Sequence, residues 1–411
     1  MGGDFVGGIL GSVGTFRKLW RGTIDDWIDR MSHVYTVGLL IIFAFATMKG
    51  VYLRDNINCW VPKEFTDTFE KYAHDYCWIS NTYYIPMDEP IPVDIKARES
   101  ETITYYQWVP LILIIQAFMF KLPYFIWKLF NGYSGLSLEK VIHLSEQTEF
   151  DEAESRRVTI DHLARFLDKW LNGQKEYHWN VMVRMRHRLS RVCCFFCDKR
   201  AGTFLSALFL SIKVLYLLNV VGQFFLLNAF MATDYNLYGF EIINHLAANG
   251  EWRESPRFPK VTLCDFEIRQ LQNIQRFTVQ CVLPINMFNE KIFIFLWFWL
   301  VLVAVLAAYN LLQWLFISVL KRNRATFIKK YLKITNDLQT AYDKKLAAKF
   351  ADTYLHDDGV FVLRIVTKNT SDIITTELVQ LLFERYKNQV KTSNMNDLET
   401  SFDEDAKEPL Q

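Results

Sequence analysis

The sequence has little proline and glycine and almost no net charge. Ten prolines and seventeen glycines in 411 residues exclude a collagen-like or low-complexity chain as a whole. A formal charge of +1, from 46 basic and 45 acidic side chains, argues against a dedicated nucleic-acid-binding protein, which carries a strongly basic face. The motifs of P-loop nucleotide hydrolases, HExxH zinc proteases, GxSxG hydrolases and calcium loops are also missing. We therefore expect that the protein is not an enzyme, that it has no cofactor or metal site, and that it does not bind nucleic acid.

Apolar side chains are abundant, at 51% of the sequence, and are concentrated in four long stretches. A helix of roughly 20 residues crosses a bilayer, and each stretch is at least that long and is bounded by charged segments. One such stretch alone is compatible with a buried helix of a soluble protein, but four together predict an all-α polytopic membrane protein. The predicted spans are residues 34–53, 105–130, 203–231 and 291–320.

The charges of the connecting segments predict which side of the membrane each one faces. Residues 54–104 hold five Lys and Arg against ten Asp and Glu, and residues 232–290 hold five against seven. Segment 1–33, the loop 131–202 and the chain after residue 320 instead carry basic clusters at the span ends. Because basic residues near span ends mark the cytoplasmic side, we expect both termini and the 131–202 loop in the cytoplasm and the two acidic loops outside.

The predicted topology divides the seven cysteines into two groups. Each outer loop has two, namely Cys59 and Cys77 in the first and Cys264 and Cys281 in the second. An oxidising environment favours their pairing, so the sequence predicts two disulfide bonds in any of three connectivities. The other three lie in the cytoplasmic loop, where free thiols are expected: Cys193, Cys194 and Cys197. Palmitoylation and unmodified buried thiols are equally compatible with these three.

Several short motifs resemble those of the innexins, the invertebrate gap-junction proteins. The sequence YYQWVP stands at the outer start of the second span: Tyr105, Tyr106, Gln107, Trp108, Val109 and Pro110. Three further stretches are similar to the same family: Cys59-Trp60-Val61-Pro62 with Tyr76-Cys77, Cys281-Val282-Leu283-Pro284-Ile285-Asn286, and Asp358-Gly359-Val360-Phe361-Val362-Leu363-Arg364. The resemblance covers roughly residues 20–390 and includes the topology and the cysteines of the loops.

The resemblance implies a gap-junction channel subunit. Innexins assemble as rings around a pore, and rings from two apposed cells dock through their outer loops. For this chain it implies a homo-oligomer or hetero-oligomer of innexin-type subunits, octameric, in contact with membrane lipid at a cell-cell junction of the plasma membrane. The pore would pass ions and small metabolites, and docking would join the ring to a hemichannel of the neighbouring cell. The family pattern also implies nested disulfides, Cys59 with Cys281 and Cys77 with Cys264.

Two other functions are compatible with the sequence. One is a non-junctional hemichannel that releases small solutes from a single cell. The other is a four-span adhesion or scaffold protein of the tetraspanin sort, which carries a Cys-Cys-Gly motif in its large outer loop. That function is disfavoured here, because Cys193-Cys194 lies in the predicted cytoplasmic loop and is followed by Phe195.

Two prolines and one lysine stand out within the predicted spans. Pro110 and Pro123 both lie in the second span, where a proline removes a helical hydrogen bond and predicts a kink. A fixed bend is favoured for both, and a gating hinge is the alternative. Lys213 is about ten residues into the third span, and we expect it to snorkel to the cytoplasmic interface rather than to join a buried pair.

The N-terminal segment predicts pore-lining residues. Glycine this dense does not hold a helix in water, so disorder is one prediction for the segment. At about 100° per residue, however, Gly3, Gly7, Gly11 and Gly14 share one narrow face of a helix, with apolar side chains opposite. In innexins this segment folds into the pore mouth as a funnel, so the resemblance implies that the glycine face looks inward. Asp4 lies near that face, and a ring of its carboxylates would favour cations.

The cytoplasmic segments predict an ordered and mostly helical dome. Residues 155–172 have the periodicity of an amphipathic helix. Segment 321–391 begins with a basic stretch suited to anionic lipid headgroups and continues with an apolar, strand-like run from Val360 to Val366. A helix is predicted from about Ser371 to Asn388. Residues 392–411 are acidic and poor in apolar side chains, and are predicted to be disordered.

Overall fold

The computed structural model describes residues 25–52, 56–149, 151–173, 202–231, 238–249 and 257–405. Helices dominate, as the sequence predicted. We number them α1 (Trp27–Arg30), α2 (Thr36–Tyr52), α3 (Asp67–Ser80), α4 (Ile95–Glu99), α5 (Val109–Asn131), α6 (Leu138–Thr148), α7 (Ala153–Asn172), α8 (Phe204–Met231), α9 (Tyr238–Asn249), α10 (Pro284–Val319), α11 (Lys321–Ile334), α12 (Ala341–Lys349), α13 (His356–Asn369) and α14 (Asp372–Asp405). The strands are β1 (Asn58–Trp60), β2 (Thr82–Tyr83), β3 (Thr102–Ile103), β4 (Val261–Gln270) and β5 (Asn273–Val282).

Four helices are long and apolar enough to cross a membrane, which confirms the predicted number of spans. They are Trp27–Val51, Val109–Ser134, Phe204–Met231 and Pro284–Ser318. A π-helical turn at Met31–Tyr35 joins α1 to α2 within the first span. The first and fourth spans begin seven residues before the predicted positions, because helical backbone continues past the purely apolar core of each stretch.

The chain forms two compact units. The sheet unit comprises Ile28–Pro123 and Tyr216–Ala308, and the helical unit comprises Met1–Trp27, Tyr124–Leu215 and Tyr309–Gln411. Each has a hydrophobic core of its own.

The sheet unit contains a five-stranded antiparallel sheet that the sequence did not predict. Its strand order is β1-β5-β4-β2-β3, so strands from the first loop flank a long hairpin from the second loop. Along β4, buried and partly exposed residues alternate, and the buried Phe266 stacks on Phe277 of β5. Phe65 of the first loop packs edge-on against the ring of Phe277 at 5.2 Å between centroids. The sheet therefore joins two loops that are distant in sequence around one aromatic core.

The helical unit has its core around α13. Nearly every residue from Asp358 to Val366 is buried, which shows that α13 is covered on all its faces. The sequence predicted an apolar strand over Val360–Val366, and this prediction was wrong. A short apolar run has the same composition in a fully buried helix as in a buried strand, and the tertiary packing decides between them.

The other predicted helices of this unit are present. The amphipathic helix predicted over 155–172 is confirmed as α7, which buries Ile160, Leu163, Leu167 and Leu171. The helix predicted from Ser371 is α14, which continues to Asp405 and thus enters the 392–411 segment for which disorder was predicted. Residues 406–411 lie outside the described part of the chain.

Candidate functional site

Two disulfide bonds tie the two loops of the sheet unit together. Cys59 of β1 is bonded to Cys281 of β5, and Cys77 of α3 is bonded to Cys264 of β4, with Cα–Cα distances of 3.9 and 5.8 Å. This is the nested pairing that the resemblance implies. Among the described residues, the one group close enough to share a metal ion is Cys59, Cys77 and Cys281, whose sulfur atoms lie within 4.8 Å of one another. All three sulfurs are held in disulfide bonds.

A polar cluster around Asp265 fastens the first loop to the hairpin of the second. Its Oδ1 accepts hydrogen bonds from the Tyr83 hydroxyl at 3.0 Å and from the Thr278 hydroxyl at 2.7 Å. Its Oδ2 pairs with Nη1 of Arg98 at 2.8 Å. Burial, and then the neighbouring Asp265 carboxylate, raise the pKa of Tyr83 to about 12, so the tyrosine stays a hydrogen-bond donor at all physiological pH values. Sequence analysis did not single out this cluster, because its members have no common spacing.

The tip of the β4–β5 hairpin is an exposed leucine. Gln270 pairs with Asn273, which leaves Leu271 and Gln272 as a two-residue turn. Leu271 has a φ of +56° and is 97% exposed. Tight hairpin turns need a positive φ and usually place glycine or asparagine there. A bulky apolar side chain held outward in this conformation is a feature to associate with function rather than with folding.

The YYQWVP motif holds both loops against the start of the second span. The Tyr105 hydroxyl donates to the Arg257 carbonyl at 2.7 Å, and the side-chain amide of Gln107 donates to the Trp78 carbonyl. Tyr106 is fully buried and packs on Trp78, with ring centroids 5.0 Å apart. Burial raises the pKa of Tyr106 to about 12. The motif therefore positions the loops.

Pro110 lies in the second span as predicted, but in its first turn and not in its interior, so the predicted kink there was wrong. Residues Tyr105–Gln107 form a short 3-10 helix, and α5 starts at Val109, so Pro110 occupies its first turn. The first backbone N–H groups of a helix have no helical acceptor, so a proline there removes no hydrogen bond and produces no kink. Pro123 is inside α5 and is buried, and a bend or hinge there stays a prediction.

The motif before the fourth span also has a positioning role. Pro284 is the first residue of α10, where its fixed φ suits the start of a helix. The amide of the buried Asn286 donates to the Pro259 carbonyl at 2.8 Å, which ties the helix start to the segment before β4.

Asp26 is the centre of a buried polar cluster in the helical unit. Its carboxylate accepts hydrogen bonds from Lys213 Nζ at 2.7 Å, from Trp314 Nε1 at 2.6 Å and from Lys368 Nζ. Asp26 is 4% exposed and Lys213 is 3% exposed. The prediction that Lys213 snorkels to the interface was therefore wrong, because its ammonium group is paired inside the protein.

Helix α13 caps the ends of two spans. The Asp358 carboxylate accepts the backbone N–H groups of Leu205 at 3.1 Å and Ser206 at 2.9 Å, in the first turn of α8. The Arg364 guanidinium donates to the carbonyl of Ile317, in the last turn of α10, at 3.4 Å and to that of Asn323 at 3.2 Å. A helix is positive at its N-terminus and negative at its C-terminus, so each cap has the complementary charge.

The Asp358 carboxyl is fully buried in this position. Burial raises its pKa to about 6, although the backbone N–H groups that it accepts act in the opposite direction. The sequence pointed to the motif that contains Asp358 and Arg364, yet only the fold reveals that these two residues meet different spans.

Some predicted residues lie outside the described part of the chain. They are the pore-lining candidates Gly3, Asp4, Gly7 and Gly11 and the cysteines Cys193, Cys194 and Cys197. Their roles stay predictions.

Four helices apolar enough to cross a bilayer, disulfide bonds between the loops that connect them and caps at the span ends are the features of a polytopic membrane protein. The innexin family profile matches residues 25–386. The chain is 37% identical to innexin unc-9 of Caenorhabditis elegans, over 91% of this chain and 95% of that protein. It is also 38% identical to innexin-3 of the same organism, over 89% of this chain and 84% of that protein. The chain belongs to the innexin family: it is a gap-junction channel subunit of the membrane and not an enzyme.

Proposed function

We propose that eight copies of this chain form a ring in the plasma membrane, and that two rings of adjacent cells dock through their sheet units to make a continuous pore. Ions and small metabolites pass through it. The observation that carries the docking step is the exposed Leu271 at the tip of a hairpin braced by two disulfide bonds. Membership of the innexin family supports the oligomeric channel.

The surfaces of the spans support assembly into a ring. Only 28 to 50% of the most apolar window of each span is buried within a single chain. Four helices enclose no wide aqueous passage, so a wide pore requires several subunits around an axis. The remaining apolar surface is available to neighbouring subunits and to lipid. We expect the purified complex to have a mass of 388 kDa by native mass spectrometry, for eight chains of 48.5 kDa each, and a different integer multiple would refute the octamer.

The distribution of charge supports the orientation. The loops that form the sheet unit carry an excess of acidic residues, and the segments at the other ends of the spans carry the basic clusters. The disulfide bonds agree, because they form on the oxidising side of a membrane. Both termini then face the cytoplasm.

Docking requires exposed apolar groups on the outer surface, and the sheet unit has them. Besides Leu271, Met87 and Val93 of the first loop are also exposed apolar residues of this unit. Exposed apolar side chains on an otherwise polar surface mark protein contact sites, and rigid bracing lowers the entropy lost when two such surfaces meet.

The test is a dual voltage clamp on two contacting cells that both express only this chain, with single cells recorded separately. We expect junctional current in wild-type pairs. Leu271→Asp places a charge at the tip, so it should lower the junctional current at least tenfold while the current of single cells stays unchanged. Current in single cells with none between wild-type pairs would contradict docking and favour a hemichannel.

Two controls keep this test specific. Ile79→Asp puts the same charge on another exposed apolar position of the sheet unit, on α3, where 74% of the residue is exposed, and it should leave the junctional current intact. Leu271→Cys on unpaired cells should react with a membrane-impermeant maleimide. Absence of labelling would contradict the orientation.

A further inference from the structure

We propose that a cleft at the end of the fourth span binds the phosphate group of an anionic lipid headgroup. The cleft lies within the helical unit, opens to solvent, and is lined by apolar side chains, by two arginines and by the carboxyl group of Asp357. The residues that matter here are Trp314, Ile317, Ser318, Arg324, Phe361 and Arg364.

Two arginines in the cleft have unused donors. The Nε atoms of Arg324 and Arg364 are buried, and neither has a hydrogen-bond partner among the residues that the structure describes. A buried N–H group without a partner costs about 1–3 kcal/mol, so two of them in one cleft favour an acceptor that the described residues do not supply. The arginine fork matches the oxygen atoms of a phosphate.

The charge of Arg364 is only partly balanced by the described residues. Its Nη atoms reach the backbone carbonyls of Ile317 and Asn323, and no described carboxylate forms an ion pair with it. Arg324, by contrast, pairs with Asp357 and lies 3.8 Å from Asp352. Burial and then the charge of Arg324 lower the pKa of Arg364 to about 10. An anion beside Arg364 would relieve this repulsion.

The start of α11 is an independent sign of an anionic ligand. No side chain caps this helix, and its first turn contains no acidic residue. Its sequence begins Lys321, Arg322, Asn323, Arg324, which places cations at the positive end of the helix dipole. Asp357 balances the charge of Arg324, and a further anion would balance the other cations of this turn, since a phosphate group is the natural ligand of a helix N-terminus.

The position of the cleft favours lipid over a soluble phosphate. The apolar span ends at Ser318, which itself lines the cleft, so the cleft lies at the depth of the headgroups. Trp314 and Phe361 give it an apolar wall that suits the glycerol and acyl chains. The orientation proposed above places this lipid in the cytoplasmic leaflet, which is rich in anionic lipids.

The test measures lipid binding to the full-length protein in detergent by native mass spectrometry. The probes are dioctanoyl phosphatidic acid, dioctanoyl phosphatidylcholine and inorganic phosphate. We expect wild-type protein to bind phosphatidic acid at least tenfold more tightly than phosphatidylcholine. Arg364→Gln and Arg324→Gln should each lower this preference about tenfold, because one charge-assisted contact is lost. Arg385→Gln, which removes an arginine of the same unit that pairs with Asp161, should leave the preference unchanged.

Three results would overturn the proposal. One is equal binding of the two lipids by wild-type protein, and another is a wild-type preference in both glutamine variants. The third is displacement of phosphatidic acid by equimolar inorganic phosphate, which would assign the site to a soluble phosphate and not to a lipid headgroup. Arg364→Lys, which keeps the charge and loses the fork, replaces Arg364→Gln if the latter does not fold. Binding in detergent depends on neither docking nor orientation, so a failure of junctional current leaves this result independent.

Discussion

At the residue scale, one carboxylate of the helical unit serves three donors. The carboxylate of Asp26 accepts hydrogen bonds from Lys213, Trp314 and Lys368, which lie 187, 288 and 342 residues away along the chain. A buried ion pair contributes little net stability over an apolar alternative, but the loss of one partner leaves the other charge in a poor solvent. Asp26 directly precedes the first span, so the cluster fixes the point at which the N-terminal segment joins the membrane part.

Asp26→Asn should therefore destabilise the folded chain strongly. We expect a loss of about 3 kcal/mol, the typical effect of breaking a buried pair, measured by thermal unfolding of the purified protein. Lys213→Met should cost less, because Trp314 and Lys368 still face the carboxylate. Glu267→Gln, in an exposed pair with Arg276, is the matched control and should cost less than about 1 kcal/mol. Equal effects of Asp26→Asn and Glu267→Gln would show that the buried cluster is not important for stability.

At the scale of elements, α13 is tied to the ends of two spans by two charged side chains, Asp358 in its first turn and Arg364 in its middle. Asp358 caps the N-terminus of α8, and Arg364 caps the C-terminus of α10. Gly359, between them, is tightly packed, because a Cβ there would lie 3.1 Å from side-chain atoms of Leu171 and Leu355 and would require them to shift. Helix α13 is therefore packed in place and tied by hydrogen bonds to the ends of both spans within the helical unit.

The cap predicts a specific pH dependence. The folded pKa of Asp358 is about 6, whereas an unfolded aspartate titrates near 3.9. Between these values the folded chain binds the proton more tightly than the unfolded chain, so the free energy of unfolding falls as pH rises from 4 to 6, by about 3 kcal/mol. Asp358→Asn has no titrating carboxyl group at this position, so its free energy of unfolding should not show this fall between pH 4 and 6.

The measurement is the difference in melting temperature between wild type and Asp358→Asn at pH 4.5 and at pH 7.5. The melting temperature of wild type should exceed that of Asp358→Asn by more at pH 4.5 than at pH 7.5. Asp357→Asn, one residue earlier and partly exposed, should keep the wild-type dependence on pH. Parallel pH profiles of wild type and Asp358→Asn would rule out a raised pKa at this position.

At the scale of the whole molecule, the two units have different kinds of stabilisation. The sheet unit depends on covalent bonds between loops that are separated by 222 and 187 residues in sequence. The helical unit depends on helix packing and on the buried polar clusters around Asp26 and Asp358. Loss of a disulfide should therefore disturb the sheet unit first.

Replacing Cys77 and Cys264 together by serine tests this division. Removal of a native disulfide lowers stability by about 2–5 kcal/mol, and here the sheet unit loses this stability. The variant should therefore reach the cell surface yet lose junctional current in paired recordings. Surface biotinylation supplies the first measurement and dual voltage clamp the second. Cys193→Ser, in the loop predicted to be cytoplasmic, should behave as wild type. Normal junctional current in the double variant would mean that docking does not need the second bridge.

The sequence by itself determined the four spans, the amphipathic helix α7, the loop cysteines and the family motifs. These rest on local composition, periodicity and short exact matches, which act within about twenty residues. Tertiary structure decided the rest. The strands β1, β2 and β3 have two or three residues each, too few to show a period of their own. They form because β1 pairs with the edge of β5, β2 pairs with the edge of β4, and β3 pairs in turn with β2. Val360–Val366 became helical because burial on every side leaves no periodic pattern to read. Lys213 found its carboxylate 187 residues away, a distance over which only the fold brings charges together.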